Sequence, residues 1–173
     1  KVQDVASVAS FFISRVDSEI DKRLDVVETD DALSLRGKAA IAQAKVAYNM
    51  FETTFSGEAW RTLAKLGAQV QRPLWASTST KNPAYHDTMY VDELIGAHSV
   101  NTLPDATMEA FADHGTVTET IAIDVDGARS NLLALQNIGI EMTAVADQLE
   151  SEGVASFQQS FNDLLAVLES KRK

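Results

Sequence analysis

The sequence predicts an α/β protein with parallel strands and a helical last third. Apolar segments of strand length alternate three times with segments of helical periodicity. Small polar or charged residues directly follow the first two apolar segments, and the strand signal fades after Gly115. Alternating strands and helices are typical of a parallel sheet covered by helices.

The first strand is predicted within residues 5–16, which are rich in Val, Phe and Ile with small residues between them. Ser14 and Arg15 mark its end. A helix follows, because acidic residues fall in its first turn, where the helix dipole favours negative charge. Its apolar stripe is Ile20, Leu24 and Val27.

A long helix is then expected from about Leu33 to Phe55, where apolar residues recur at helical spacing. Gly37 lies inside this pattern and disfavours an unbroken helix. A short helix is predicted from Glu58 to Leu66, ended by Gly67, before a second strand from Gln71 to Ala76. A connection of this length suits parallel strands.

The second strand leads into the hydroxyl-rich segment Ser77–Lys81 and a predicted helix from about Ala84 to Ile95. A third strand, His98 to Thr102, precedes a helix from Asp105 to Asp113. Pro104 suits the start of that helix because proline is tolerated in the first turn.

The rest of the chain is predicted to be helical, except that residues 117–125 alternate weakly and are expected to be loop or extended chain. Three amphipathic helices are predicted after it: 127–138, 142–150 and 154–171. A (β/α)8 barrel has eight strands and typically about 250 residues. We therefore predict the C-terminal part of a TIM barrel: residues 1–115 are its last three βα units, and residues 116–173 are an extra C-terminal helical extension packing on it. The alternative is a small open α/β sheet with a helical tail.

The composition excludes several classes of function. The formal net charge is −10 and the pI is about 4.7, which argues against nucleic acid or a membrane surface as partner. The chain has no cysteine, so neither a disulfide framework nor a thiolate site is possible. No membrane-length apolar run or signal-peptide pattern is seen, and we expect a cytoplasmic protein.

Candidate ligand-binding residues follow the predicted strands. The carboxyl ends of parallel strands carry the binding sites of α/β proteins. The hydroxyls of Ser77–Thr80 and the ammonium of Lys81 suit a phosphate dianion, although such residues before a helix more often serve capping and turn chemistry. The histidines are expected to be scattered, so no metal site is predicted. His86 and Asp87 are interpreted as polar residues at the start of a helix. Lys38 and Lys45 are expected to be solvated.

Three segments closely resemble the transaldolase family, especially its longer bacterial members. They are ASFFISR from Ala9 to Arg15, WASTSTKNPAY from Trp75 to Tyr85, and VNTLP from Val100 to Pro104. The resemblance covers nearly the whole chain. It implies that the three predicted strands are the sixth, seventh and eighth of a class I aldolase type TIM barrel.

The resemblance also implies roles for five residues. Ser10 and Phe12 are expected to face the substrate, and Arg15 to bind its phosphate. Ser77 is expected to supply a hydroxyl to the phosphate site. Lys81 stands near the position at which shorter members carry an arginine, displaced by a small insertion.

Each of these roles has a simpler alternative. Ser10 and Phe12 are also compatible with filling a barrel interior. For Arg15 the alternative is a surface ion pair with Asp17 or Glu19.

The function implied is transfer of a dihydroxyacetone unit from a ketose phosphate, sedoheptulose 7-phosphate or fructose 6-phosphate, to an aldose phosphate. In this family of the pentose phosphate pathway, a lysine forms a Schiff base with the ketose, without metal or cofactor. That lysine lies on the fourth strand, and the acid/base carboxylates lie on the first and third.

This chain lacks those strands and is expected to be inactive in isolation. Its expected partners are sugar phosphates and the N-terminal part of the barrel, and a homo-oligomer is compatible with the sequence. The alternative is a non-catalytic sugar-phosphate-binding or scaffold fragment.

Overall fold

The computed structural model describes residues 1–172, so Lys173, the last residue of the predicted helical extension, lies outside the described residues. Three strands form one parallel sheet in the order β1-β2-β3. They are β1 (Ser7–Phe12), β2 (Gln71–Ala76) and β3 (Val100–Asn101). The prediction of three parallel strands is confirmed, and β2 has the predicted bounds.

The first helix, α1 (Ser14–Val27), begins immediately after β1. The backbone N–H groups of Ile13 and Ser14 donate to the carbonyls of Ala76 and Ser77, at 2.9 Å each, so the pairing with β2 extends to the start of α1. The strand ends at Phe12 and is therefore shorter than the predicted segment of residues 5–16. As a consequence Arg15 lies in the first turn of α1.

The predicted helix from Leu33 to Phe55 is wrong as one unbroken element. It consists of α2 (Asp30–Leu33), a turn, and α3 (Ala39–Thr54). Gly37 lies in the turn with φ +70°, a conformation that L side chains rarely adopt. The short helix α4 (Glu58–Lys65) follows, as predicted.

The predicted helix from Ala84 to Ile95 is also wrong, since only α5 (Met89–Asp92) forms there. A turn at Asn82 competes with a longer helix. The Ala84 N–H donates to Asn82 Oδ1 at 3.0 Å, and the Tyr85 N–H donates to the carbonyl of Asn82 at 3.1 Å. The helix α6 (Asp105–His114) ends one residue later than predicted.

The C-terminal part contains α7 (Val125–Asn137) and α8 (Met142–Ser170). The two helices predicted at 142–150 and 154–171 are one, because Gly153 remains helical within α8. The helix α7 packs on α3, and α8 packs on α1. The division into residues 1–115 and 116–173 stays a prediction.

The hydrophobic core lies between one face of the sheet and the helices. Its large, fully buried side chains include Ile13, Ile20, Leu24, Trp75 and Tyr90. The opposite face of the sheet is open: Val8 is 41% and Phe12 is 49% exposed. The apolar residues in the second half of α8 are exposed as well: Phe157, Phe161, Leu164, Leu165 and Leu168. Among residues 1–172, no helix is both long and apolar enough to cross a membrane.

Candidate ligand site at the strand ends

Arg15 reaches back over the open face of the sheet. Ser10 and Phe12 are exposed and, two residues apart on β1, lie on the same face. The guanidinium carbon of Arg15 lies 4.5 Å from the centroid of the Phe12 ring, within cation–π distance. The structure therefore brings Phe12 and Arg15 together at the carboxyl end of β1, with Ser10 on the same face of the strand.

The two carboxylates considered as ion-pair partners of Arg15 are otherwise engaged. Asp17 is 1% exposed and accepts hydrogen bonds from Tyr90 and Ala40. Glu19 forms an ion pair with Arg23 at 2.9 Å. Within residues 1–172, no carboxylate lies within 4.0 Å of the Arg15 guanidinium, so its charge is available to a ligand.

Ser77 lies directly beyond β2 in a left-handed conformation, with φ +60°. This conformation is uncommon for a serine and costs free energy unless surrounding contacts enforce it. One such contact is the Ser77 Oγ to Ser14 Oγ hydrogen bond of 2.8 Å, which joins the ends of β1 and β2. The Ser77 oxygen thus lies beside the first turn of α1. Its partner Ser14 is the first residue of α1 and follows Phe12 by two positions.

Lys81 is exposed, and its ammonium donates to Ser79 Oγ at 2.7 Å. It lines a cavity of about 210 Å³ beside α1. Arg15 lines a different cavity of about 310 Å³, between α1 and α8. The two cavities have Ser18 and Lys22 in common, so they flank the same part of α1. The convergence of Arg15 and Lys81 on one phosphate stays a prediction.

One hydroxyl of the predicted ligand-binding segment has a structural role instead. Thr78 is fully buried, and its hydroxyl donates to Asn101 Oδ1 at 2.7 Å, joining the end of β2 to β3. The side chains of Ser77 and Thr78, directly after β2, therefore connect the end of β2 to the ends of β1 and β3. Sequence reasoning did not separate Thr78 from its neighbours, because all four residues are small and polar.

A network of acids and tyrosines lines the same cavity as Lys81, and sequence reasoning missed it. The Tyr90 hydroxyl donates to Asp17 at 2.7 Å, and the Tyr85 hydroxyl donates to Asp21. Asp17 also accepts from the Ala40 N–H at 2.8 Å, which caps the start of α3. The only sequence signal was the spacing of Asp17 and Asp21, four residues apart on one helix face.

Burial dominates the electrostatics of this network. It raises the pKa of the Asp17 carboxyl to about 6, against the hydrogen bonds from Ala40 and Tyr90, which lower it. Burial also raises the pKa of the Tyr90 and Tyr85 hydroxyls, helped by the negative charge of Asp17 and Asp21. Both tyrosines are therefore hydrogen-bond donors at neutral pH.

The expectation that Lys45 is solvated is wrong. It is 8% exposed on α3, and its ammonium lies 3.0 Å from the Glu93 carboxylate. The ion pair compensates the burial of the charge. Lys38 is exposed, as expected.

The expectation of scattered histidines is wrong for two of the three. The imidazole rings of His86 and His114 have centroids 5.5 Å apart, because the turn before α5 lies against the end of α6. His98 lies elsewhere, near Phe51. The sequence could not show this proximity, since 28 positions separate His86 from His114.

These features define the class as a parallel α/β protein whose candidate ligand site lies at the carboxyl ends of its strands. The comparison with known proteins is more specific. Residues 1–168 match the sequence model for "Transaldolase/Fructose-6-phosphate aldolase", and the chain belongs to this family. The resemblance identified from the sequence motifs is confirmed.

Similar curated proteins carry the name transaldolase. The chain is 54% identical over 168 residues to the transaldolase of Parafrankia sp. (strain EAN1pec), covering 96% of this chain and 46% of that protein. It is 48% identical over 173 residues to transaldolase 2 of Streptomyces coelicolor, covering 99% of this chain and 46% of that protein. The chain thus spans about half the length of the curated relatives it matches.

Proposed function

We propose that this chain is the C-terminal part of a transaldolase that transfers a dihydroxyacetone unit from a ketose phosphate to an aldose phosphate through a lysine Schiff base. The observation that carries this proposal is the identity of about half of the residues to proteins named transaldolase, over nearly the whole chain. The fold expected for the complete protein is a (β/α)8 barrel. We expect it in the cytoplasm, without a cofactor.

This part of the protein is proposed to hold the phosphate end of the substrate. Arg15 would donate to the phosphate oxygens in a bidentate manner, and Ser77 would add a hydroxyl. Lys81 would contribute a second positive charge. Ser10 and Phe12 would line the substrate channel. The free guanidinium of Arg15, above the open sheet face, supports its role.

The nucleophilic lysine is proposed to lie outside this chain. A Schiff-base lysine needs an uncharged amine in a site that excludes water. Lys45 is held in an ion pair with Glu93, and Lys81 is exposed, so neither offers such an amine. The N-terminal part of the barrel would cover the open face and supply the lysine. The chain alone is expected to be inactive.

Borohydride reduction of the full-length protein in the presence of fructose 6-phosphate tests the reaction. We expect a covalent adduct on a lysine outside this chain, together with transfer to an aldose phosphate. Neither adduct nor transfer would favour the alternative, a sugar-phosphate-binding scaffold without catalysis.

The phosphate role of Arg15 is tested with Arg15→Ala. We expect kcat/KM for the phosphorylated ketose to fall about 10- to 100-fold, since a charge-assisted hydrogen bond contributes about 1.5–3 kcal/mol. Use of the unphosphorylated ketose should change little. Arg61→Ala, which removes an exposed arginine from α4, is the matched control. Equal losses for both ketoses would reject the assignment.

A further inference from the structure

Two histidines and an aspartate form a cluster remote in sequence from the candidate ligand residues of β1. His86 and Asp87 lie in the turn before α5, and His114 is the last residue of α6. All three side chains are exposed. One nitrogen from each histidine and one carboxylate oxygen lie within 4.8 Å of one another.

We propose that His86, Asp87 and His114 form a binding site for a divalent transition-metal ion of the Zn²⁺ type. Imidazole nitrogen and carboxylate oxygen are the ligands that Zn²⁺ accepts, at about 2.0–2.2 Å, so neighbouring ligand atoms in a tetrahedral site are about 3.3 Å apart. The separation is 2.9 Å for His114 Nε2 and 3.6 Å for His86 Nδ1, each to Asp87 Oδ1. Small side-chain shifts therefore suffice to close the site. A water molecule would complete the four ligands.

The surroundings orient the imidazole of His114 toward Asp87. His114 Nδ1 lies 3.0 Å from Asp113 Oδ2, which leaves Nε2 directed at Asp87. Metal-binding histidines commonly donate their second N–H to a carboxylate in this manner, which fixes the tautomer and the ring orientation. His86 Nδ1 lies 2.9 Å from the hydroxyl of the buried Thr88, a contact that a metal ion at Nδ1 would replace.

The position in the fold favours a cation. His114 ends α6, and the C-terminal end of a helix dipole stabilises positive charge. A metal ion at this point would join the turn before α5 to the end of α6, two segments that the contact of 2.9 Å between His114 Nε2 and Asp87 Oδ1 already connects. The site would therefore stabilise the turn that follows the Lys81 segment. It is independent of the proposed transfer reaction.

Isothermal titration of the full-length protein with ZnCl₂, in a buffer that does not chelate metal, tests the proposal. We expect one Zn²⁺ per chain at this site. His86→Ala and His114→Ala should each weaken binding at least 10-fold, the loss seen even for residues that only orient a ligand. Asp113→Asn should weaken it less than His114→Ala. Excess Mg²⁺ should not compete, because it prefers oxygen ligands.

His98→Asn is the matched control. It removes an exposed histidine outside the cluster, and asparagine tolerates the left-handed conformation of that position, φ +60°. Its Zn²⁺ affinity should equal that of the unmodified protein, and Zn²⁺ should raise the Tm of both but not that of His114→Ala. Far-UV circular dichroism checks that each variant is folded. Equal affinity of His114→Ala and the unmodified protein, or an equal loss in His98→Asn, would overturn the proposal and leave His114 as a hydrogen-bonded bridge between Asp87 and Asp113.

Discussion

The carboxyl group of Asp17 makes the stability of this protein depend on pH, and Asp17→Asn isolates the effect. Asparagine has the shape of the neutral acid: its oxygen still accepts from the Ala40 N–H, and its amide can donate to the Tyr90 hydroxyl. The substitution therefore retains the packing and removes the buried negative charge, which the nearby Asp21 further disfavours.

The magnitude follows from the shift in the Asp17 pKa from 3.8 to about 6. Because the pKa is raised in the folded state, the stabilisation from the neutral carboxyl is fully present below pH 3.8 and is lost as the pH rises through about 6. A shift of about two units corresponds to about 3 kcal/mol. About 2 kcal/mol of that loss falls between about pH 4.5 and 7.

Urea unfolding of the full-length protein and of Asp17→Asn, at pH values from about 4.5 to 7, measures the difference. We expect the variant to gain about 2 kcal/mol relative to the unmodified protein over this range. Asp25→Asn is the control, since Asp25 lies on the same helix, half exposed, in a 3.4 Å pair with Arg36. A difference that stays constant with pH, or that changes with the opposite sign, would refute the assignment of a raised pKa to Asp17.

Two further predictions concern the turn before α3 and the strand ends. Gly37→Ala should destabilise the protein by about 1–3 kcal/mol, because φ is +70° and the new Cβ would lie 2.9 Å from the Tyr85 ring. Gly153→Ala should instead stabilise α8 by up to about 1 kcal/mol, because nothing lies within 4 Å of its new Cβ. Thermal melts measure both changes. Equal changes in Tm would contradict this reasoning. Thr78→Val should cost about 1 kcal/mol in urea unfolding, because it removes the 2.7 Å hydrogen bond to the half-buried oxygen of Asn101. A neutral result would show that water replaces the hydroxyl.

The sequence sufficed for the elements whose signals are local. The bounds of β2 were predicted from an apolar segment that ends in a change to hydroxyl residues. Those of α4 were predicted from the glycines that flank it. The errors have a physical cause in long-range contacts or local side-chain bonds. Gly37 takes a left-handed conformation against Tyr85, 48 positions away in sequence, and Asn82 forms a turn where periodicity predicted a helix.

For the candidate site, the resemblance carried by short segments predicted residues in and after β1 and after β2, and their roles stay predictions. The structure adds that Arg15 lies above Phe12 and that Asp17 is unavailable as its partner. It also shows that Lys81 and Arg15 line separate cavities. Such relations depend on how α1 lies against the sheet, and no pattern within a single segment contains that information.

The open surfaces of the described residues bear on the proposal of a complete barrel. In the sheet order β1-β2-β3, the outer edges of β1 and β3 have unpaired backbone groups, and closure into a barrel satisfies such edges. The face that carries Ser10 and Phe12 is exposed as well, whereas the opposite face is packed against helices. An open sheet protein would be expected to cover both faces of a parallel sheet. The one-sided packing therefore supports further strands that complete the interior, with the Arg15 end of β1 at the mouth of the proposed site.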